Sequence, residues 1–348
     1  MAKYKVLYTD TCFPDLSVEQ AELAKIDAQL VLAPGTDETS LIDAGKDCDG
    51  IIFDFAPMTA KVLSSLPKCK VVSRVGIGLN NIDIPAASRN GIMVANVPDY
   101  CFDEVANHAV ALYLACNRRI VQYSNMTRAH LWDVTSVGPI YRMEGQNFCL
   151  YGLGNIARRV VERVKPYGFH IYAYDAYVKD EVFEQMGVTR VQTLEELAEL
   201  ADAFSVHVPL TPETEGTVDL HLFRRMRKDA IFINIARGPI VKEEDLITAL
   251  REKMILAAGL DVVCEEPLPE DSELLKMENV IVTPHAAFYT VEAEEELRKR
   301  STQEVMYALT EGQPHVFVNK ADFRGGLSMP DSRIQRIAVL GAGTMGSA

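Results

Sequence analysis

No uninterrupted apolar run of about 18 residues, the length a membrane-spanning helix needs, occurs anywhere in the sequence, so no membrane partner is expected. An excess of positive charge is also missing: 35 Lys and Arg stand against 49 Asp and Glu, a formal net charge of −14. A nucleic-acid surface needs a clustered positive field to meet phosphates, and this balance argues against one. The seven cysteines (Cys12, Cys48, Cys69, Cys101, Cys116, Cys149, Cys264) form no C-x-x-C pair and no Cys/His cluster. They read as reduced thiols rather than as a disulfide framework or a metal site. The opening MAKYKVLYTD has no apolar core of signal-peptide length, and a cytoplasmic location is expected.

What is present is a repeating alternation. The chain of 348 residues is 48% hydrophobic, enough for ordinary globular burial, and long enough for two domains and a remainder. Short apolar runs at 5–8, 29–33, 50–54, 70–74 and 92–97 read as strands, with helix-like stretches such as 17–26 and 85–90 between them. A second series follows at 147–152, 170–175, 204–208, 230–236, 256–262 and 279–284. Regular strand and helix alternation implies right-handed crossovers, hence an α/β protein with two Rossmann-like, doubly wound parallel sheets. The apolar stretch 104–120 between the series reads as a long helix, serving either as a core element joining the domains or as a dimer surface.

The second series opens with Gly152-Leu153-Gly154-Asn155-Ile156-Ala157 directly after an apolar strand and before a helix-like run. In a G-x-G-x-x-A pattern the first glycine makes the tight turn, the second admits a pyrophosphate close to the backbone, and the small third residue lets helix and strand pack closely. A glycine triplet alone also fits an ordinary strand–helix turn. Here the next strand ends in Asp175, 21 residues after Gly154, near the spacing of an acid that binds a ribose 2′-hydroxyl. Asp175 would repel a 2′-phosphate, and Ala176-Tyr177-Val178 brings no arginine, so NAD is expected over NADP.

Three chemically versatile residues follow strands of this series: Arg237, Glu266 and His285. Ligands of open α/β sheets bind beyond the carboxyl ends of the strands, so the three are expected to converge there. Histidine titrates near neutrality and suits proton exchange with an alcohol, with a carboxylate to orient it. Arginine grips a carboxylate through two parallel hydrogen bonds. The set matches interconversion of a 2-hydroxy acid and a 2-keto acid. Singly, each residue also has a bland reading, as a structural histidine, a solvated loop glutamate and a capping arginine.

With these residues in view, the chain resembles the D-isomer-specific 2-hydroxyacid dehydrogenase family over residues 3 to 319. The resemblance rests on the ordered blocks RVGIGLNNIDI (74–84), GIMVANVPDY (91–100), YGLGNIA (151–157), INIARGPIVKEEDLITAL (233–250), GLDVVCEEPLP (259–269) and NVIVTPHAA (279–287). It implies catalytic roles for Arg237, Glu266 and His285. It further implies cofactor contacts from Val208, Pro209, Ala236 and Asp261, the last to the nicotinamide carboxamide, and from His285. Backbone N–H groups around Val75 and Gly76 would meet the substrate carboxylate. The implied domains are 1–98 with 286–319 for substrate and 99–285 for NAD, the first discontinuous, and the implied assembly is a homodimer.

Within the family, VPDYC and LWD (131–133) look most like bacterial relatives of the C-terminal binding protein corepressors. Asn80 departs from a usual aspartate, Cys149 from a common glycine, and Ala157 from the third glycine. Tyr100 and Trp132 are candidates to line the substrate pocket. The corepressor likeness supports a second reading, an NAD(H)-sensing dimeric binding protein with vestigial activity. Oxidation of formate or phosphite fits less well, because Glu266 is a carboxylate where formate enzymes carry an amide and Ile77 stands where a phosphite enzyme would want lysine. The tail, 320–348, reads as a linker followed by RIAVLGAGTMGSA, a second dinucleotide fingerprint without its helix or acid; it is expected to be poorly ordered and to bind no second cofactor.

Overall fold

The protein is described by a computed structural model covering residues 2–324. The expectations for the tail from Gly325 onward, including the second glycine fingerprint, lie outside the described residues. The described residues divide into two compact units, 2–98 with 295–324, and Asp99–Glu294.

In the first unit five parallel strands, β1 (Tyr4–Tyr8), β2 (Ala28–Leu32), β3 (Gly50–Phe53), β4 (Val71–Arg74) and β5 (Met93–Ala95), are ordered β2-β1-β3-β4-β5. Helices α1 (Ser17–Ala24), α2 (Glu38–Gly45), α3 (Ala60–Ser64) and α4 (Ile84–Arg89) connect them. Three of these start where the sequence provides a cap: Asp37, Thr59 and Asp83 each accept a first-turn N–H. Leu7, Ile51, Phe53, Val72 and Val94 form the core between sheet and helices. A long helix returns to this unit from the far end of the chain. Its Arg298 forms a buried two-pronged pair with Glu19 of α1, at 2.9 Å from both Nε and Nη2.

The second unit opens with α5 (Phe102–Asn117) and α6 (Ile120–Arg128), and its sheet holds seven parallel strands. These are β6 (Asn147–Tyr151), β7 (His170–Tyr174), β8 (Thr189–Arg190), β9 (Ala203–Val206), β10 (Ile231–Asn234), β11 (Ala257–Leu260) and β12 (Val280–Val282), in the order β12-β11-β10-β9-β6-β7-β8. Helices α7 (Asn155–Val164), α8 (Asp180–Met186), α9 (Leu194–Leu200), α10 (Leu220–Phe223) and α11 (Glu243–Arg251) form the crossovers, and α12 is the returning helix (Val291–Glu311). Strands β9, β10 and β11 are buried at every residue, as expected for a parallel sheet covered on both faces.

Helix α5 is a core element of this unit. It packs on α7, β10 and β11, and its Tyr113 meets Phe148 and Phe169 edge-on at 5.4 and 5.6 Å. The helix ends at Asn117, short of the expected 120, because Arg119 turns the backbone left-handed (φ 55°) and starts α6. The segment 286–294, expected to return with the first domain, stays with the second unit instead. The physical reason is local: Ala286 and Ala287 both donate their N–H groups to the buried carboxylate of Asp261, at 2.9 Å each.

Candidate active site

Strand β6 lies inside the second sheet, and the chain leaves it first toward β7 and β8 on one side, then returns to β9 and onward on the other. The crevice where the order reverses is where α/β sheets bind ligands. Gly152 stands at this point with φ 99°, and a Cβ there would press on the His207 carbonyl group at 2.9 to 3.0 Å, so glycine is required twice over. A Cβ on Gly154 would meet nothing within 4 Å, which leaves open space above the loop. Gly154 caps α7 without a side chain, so the first N–H groups of that helix face outward uncommitted among the described residues, as an anion-binding helix start requires. Ala157 is fully buried beneath.

Asp175, one residue past β7, accepts the Leu153 N–H at 2.9 Å on Oδ2 and the Tyr177 and Val178 N–H groups at 2.9 Å on Oδ1. Its carboxylate is thus held beside the glycine loop. Arg190 of β8, which the sequence reading passed over, donates to the Asp175 carbonyl at 2.9 Å and to the Asp180 carboxylate at 2.6 Å. On the other side of the crevice Val208 touches the space above Gly152, and Pro209 anchors its loop by accepting the Thr214 hydroxyl at 2.6 Å. Burial pushes the His207 ring down to about 3, so it stays neutral beside the loop. The residues present therefore fit a dinucleotide: an open helix start, a glycine cradle and a poised carboxylate.

Farther along the same sheet edge, His285 and Glu266 are brought together, His285 Nδ1 lying 2.7 Å from Glu266 Oε2. Burial pushes the Glu266 carboxyl up, but the His285 hydrogen bond and charge, the Val263 N–H and the nearby charge of Arg237 outweigh it and hold it below the usual range. Arg237 therefore belongs to the same cluster. Its Nη1 donates to the Ala236 carbonyl at 2.6 Å. The two loops meet because residue 238 is glycine: a Cβ there would collide with the Val263 carbonyl. His285 takes a left-handed conformation (φ 52°) and donates its own N–H to the Asp261 carbonyl at 2.9 Å.

Asp261 is 2% exposed, and its oxygens accept from Thr283 Oγ1 at 2.6 Å as well as from Ala286 and Ala287. Its carboxylate shapes the turn that carries His285, a role that sequence reasoning did not give it. His108 of α5 completes this anchor, 2.9 Å from Thr283 Oγ1 and 3.4 Å from Asp261 Oδ1. Nothing in the linear pattern around EVANH marks it, since its partners lie more than 150 positions away.

In the first unit, taken by itself, Gly76 adopts φ 147° just after β4. One expectation is corrected there: the Val75 N–H is committed to the Phe53 carbonyl at 2.8 Å, extending the ladder of β3 and β4. The N–H groups of Gly76 and Ile77 have no partner among the described residues. Trp132 is 88% exposed, and Tyr100 packs edge-on against Phe288 at 6.3 Å. All seven cysteines are free thiols. Among the described residues no His, Cys, Asp and Glu group has the arrangement to hold a metal, and no helix is long and apolar enough to cross a membrane.

Residues 110–287 match the model of the D-isomer specific 2-hydroxyacid dehydrogenase NAD binding domain. The chain is 38% identical over 291 residues to a D-3-phosphoglycerate dehydrogenase of Methanocaldococcus jannaschii, covering 83% of this chain and 54% of that one. It spans about half the length of the phosphoglycerate dehydrogenases it matches. A glyoxylate reductase of Korarchaeum cryptofilum is 35% identical over 304 residues, 84% of this chain and 90% of the relative. Among solved structures, an NADPH-dependent glyoxylate/hydroxypyruvate reductase from Sinorhizobium meliloti, in complex with NADP and malonate, superposes with a TM-score of 0.82 at 26% identity, covering 93% and 99% of the two chains. Fold, glycine loop and sequence agree, and the chain belongs to the D-isomer specific 2-hydroxyacid dehydrogenase family.

Proposed function

We propose that the protein is an NAD(H)-dependent oxidoreductase that interconverts a D-2-hydroxy acid and its 2-keto acid. The observation that carries this reading is the 2.7 Å pair of His285 Nδ1 and Glu266 Oε2 beside Arg237, at the same sheet edge as the glycine loop. The dinucleotide, when bound, supplies a hydride acceptor or donor. Everything else falls to the chain.

His285 Nε2 has no partner among the described residues and is the atom that exchanges a proton with the substrate hydroxyl. Glu266 fixes the tautomer by accepting a hydrogen bond from Nδ1–H and stabilises the ring when it is charged. Arg237 holds the substrate carboxylate through its fork and polarises the adjacent carbonyl. The first unit, taken by itself, offers the Gly76 and Ile77 N–H groups as carboxylate donors. Gly152, Gly154, Asn155 and Ile156 cradle the pyrophosphate, with Val208, Pro209 and Ala236 flanking, and Asp175 takes the ribose hydroxyls and selects NAD. A homodimer remains the expected assembly. The sensor reading draws no support from the relatives named above.

The deciding experiment follows NADH oxidation against glyoxylate, hydroxypyruvate, pyruvate and bulkier 2-keto acids, with NADPH as control. Turnover with NADH that vanishes in His285→Asn establishes the reaction. Tight NADH binding without turnover on any 2-keto acid overturns it in favour of a sensor.

A further inference from the structure

Beside the Gly76 loop, at the carboxyl edge of the first unit's own sheet, the Arg74 guanidinium is already engaged. Its Nη1 lies 3.0 Å from Asp54 Oδ1, and the two side chains are only 13% and 6% exposed. Nη1 also donates to the Val75 carbonyl, and the guanidinium lies over the Phe55 ring, 5.8 Å from its centroid. A Cβ on Gly76 would collide with Arg74 Nη1. The pair therefore packs directly against the loop that presents the Gly76 and Ile77 N–H groups.

The loop after β3 that carries Asp54 is held from both sides. Asp10, just past β1, accepts the Phe55 N–H at 2.7 Å and the Ala56 N–H at 3.1 Å. Asn81 donates to the carbonyls of Asp54 and Ala56 at 2.8 and 3.1 Å. A carboxylate on so fixed a loop keeps its place when a ligand arrives. Asp10 and Asp54 against Arg74 leave this rim one charge negative. Lys61, near the start of α3 on the same edge, is matched by Glu38 at 2.8 Å. The Gly76 and Ile77 N–H groups can receive one carboxylate, but a second anion on the ligand would meet net negative charge. Phe55, 59% exposed, offers apolar surface instead.

We propose, resting on the dehydrogenase reading above, that the substrate is a 2-keto acid with an uncharged side chain, and that the Asp54–Arg74 pair is what rejects a second negative charge. A phosphate ester carries about −1.5 to −2 at neutral pH. It would face Asp10 and Asp54 while Arg74 is already neutralised. Such a repulsive element separates ligands that share the same 2-keto acid end. An alkyl or hydroxymethyl group brings no charge and is tolerated beside Phe55.

The test compares NADH oxidation with hydroxypyruvate and with its 3-phosphate ester, which differ in side-chain charge. For the parent, kcat/KM should favour hydroxypyruvate by at least about 100-fold. Asp54→Asn keeps the shape of the side chain and releases Arg74, and should narrow that ratio at least about tenfold through faster use of the ester. Should Asp54→Asn not fold, the salt dependence of the parent decides. Its ratio should shrink at least about threefold between about 0.02 and 0.5 M sodium chloride, because screening weakens charge repulsion and leaves steric exclusion untouched. Equal or preferred use of the ester by the parent overturns the proposal. So does an unchanged ratio in Asp54→Asn, or one narrowed only by loss of hydroxypyruvate turnover, which would make the pair structural. A parent ratio indifferent to salt does the same. Absence of turnover with every 2-keto acid removes the dehydrogenase reading itself, and this inference with it.

Discussion

Buried Asn234 closes the loop that carries Arg237, donating from Nδ2 to the Arg237 carbonyl at 3.0 Å while its Oδ1 accepts the Ala236 N–H at 3.0 Å. One amide thus sets the backbone on both sides of the Ala236–Arg237 peptide. Asn234→Ala leaves the half-buried Ala236 N–H unpaired and the Arg237 carbonyl with only the Ile240 N–H at 3.4 Å, and should lower stability by about 1–3 kcal/mol. The larger effect should be on substrate, a raised KM with NADH affinity nearly unchanged. Urea unfolding and steady-state kinetics measure the two, and an unaltered KM would show that Arg237 does not need this support.

His285→Asn tests the proton-transfer role without disturbing the turn, because asparagine tolerates the left-handed backbone that His285 adopts at φ 52°. Turnover should fall by at least about 100-fold. NADH binding, read by fluorescence titration, should stay close to that of the parent. Joint loss of both would assign His285 to structure.

Gly238→Ala places a methyl group against the Val263 carbonyl. Separating the two loops should cost about 3 kcal/mol and pull Arg237 away from Glu266. The acid limb of the activity profile should then move toward the ordinary carboxylate range. A profile that keeps its position while stability drops would mean that Arg237 contributes nothing to the Glu266 environment.

The depressed Glu266 carboxyl fixes the sign of a pH effect. Its folded value lies below the unfolded one, so its contribution to stability is fully present above the ordinary carboxylate value and disappears as pH falls through the folded value. The parent should therefore lose stability relative to Glu266→Gln on acidification, with the two converging at the acid end. Denaturant unfolding between about pH 6 and pH 3 checks this, and a constant difference across that window contradicts it.

Asp175→Asn keeps one acceptor oxygen, enough for the Tyr177 and Val178 N–H groups that share Oδ1 though not also for Leu153 on Oδ2, and removes the charge that repels a 2′-phosphate. The ratio of kcat/KM for NADH over NADPH should fall at least about tenfold. A ratio that does not move would shift cofactor choice to another group on that edge, with Arg190 the first to examine.

Much of this was legible in the chain. Strands β1, β3, β6 and β10 announce themselves as apolar runs, because a parallel sheet covered on both faces buries nearly every residue. The loop after β6 is legible because Gly152 is forced by geometry that the chain itself creates. What the sequence conceals is loop against loop. Gly238 is needed for a neighbour at position 263, His108 for partners at 261 and 283, and no local pattern encodes such distant pairing. Val75 misled for a related reason: its N–H extends a ladder one residue past the apolar run, which shifts the uncommitted donors to Gly76 and Ile77. Strand β8, two residues long, carries too little periodicity to read.

The buried carboxylate of Asp261 has a wider consequence. By fixing Thr283, Ala286 and Ala287 at once, it clamps the backbone on both sides of His285 before any ligand arrives. The histidine therefore needs no recruitment when substrate enters, and its alignment is independent of what the substrate side chain happens to be. Chemistry and selectivity can then drift separately, with one loop geometry serving a succession of different ligands.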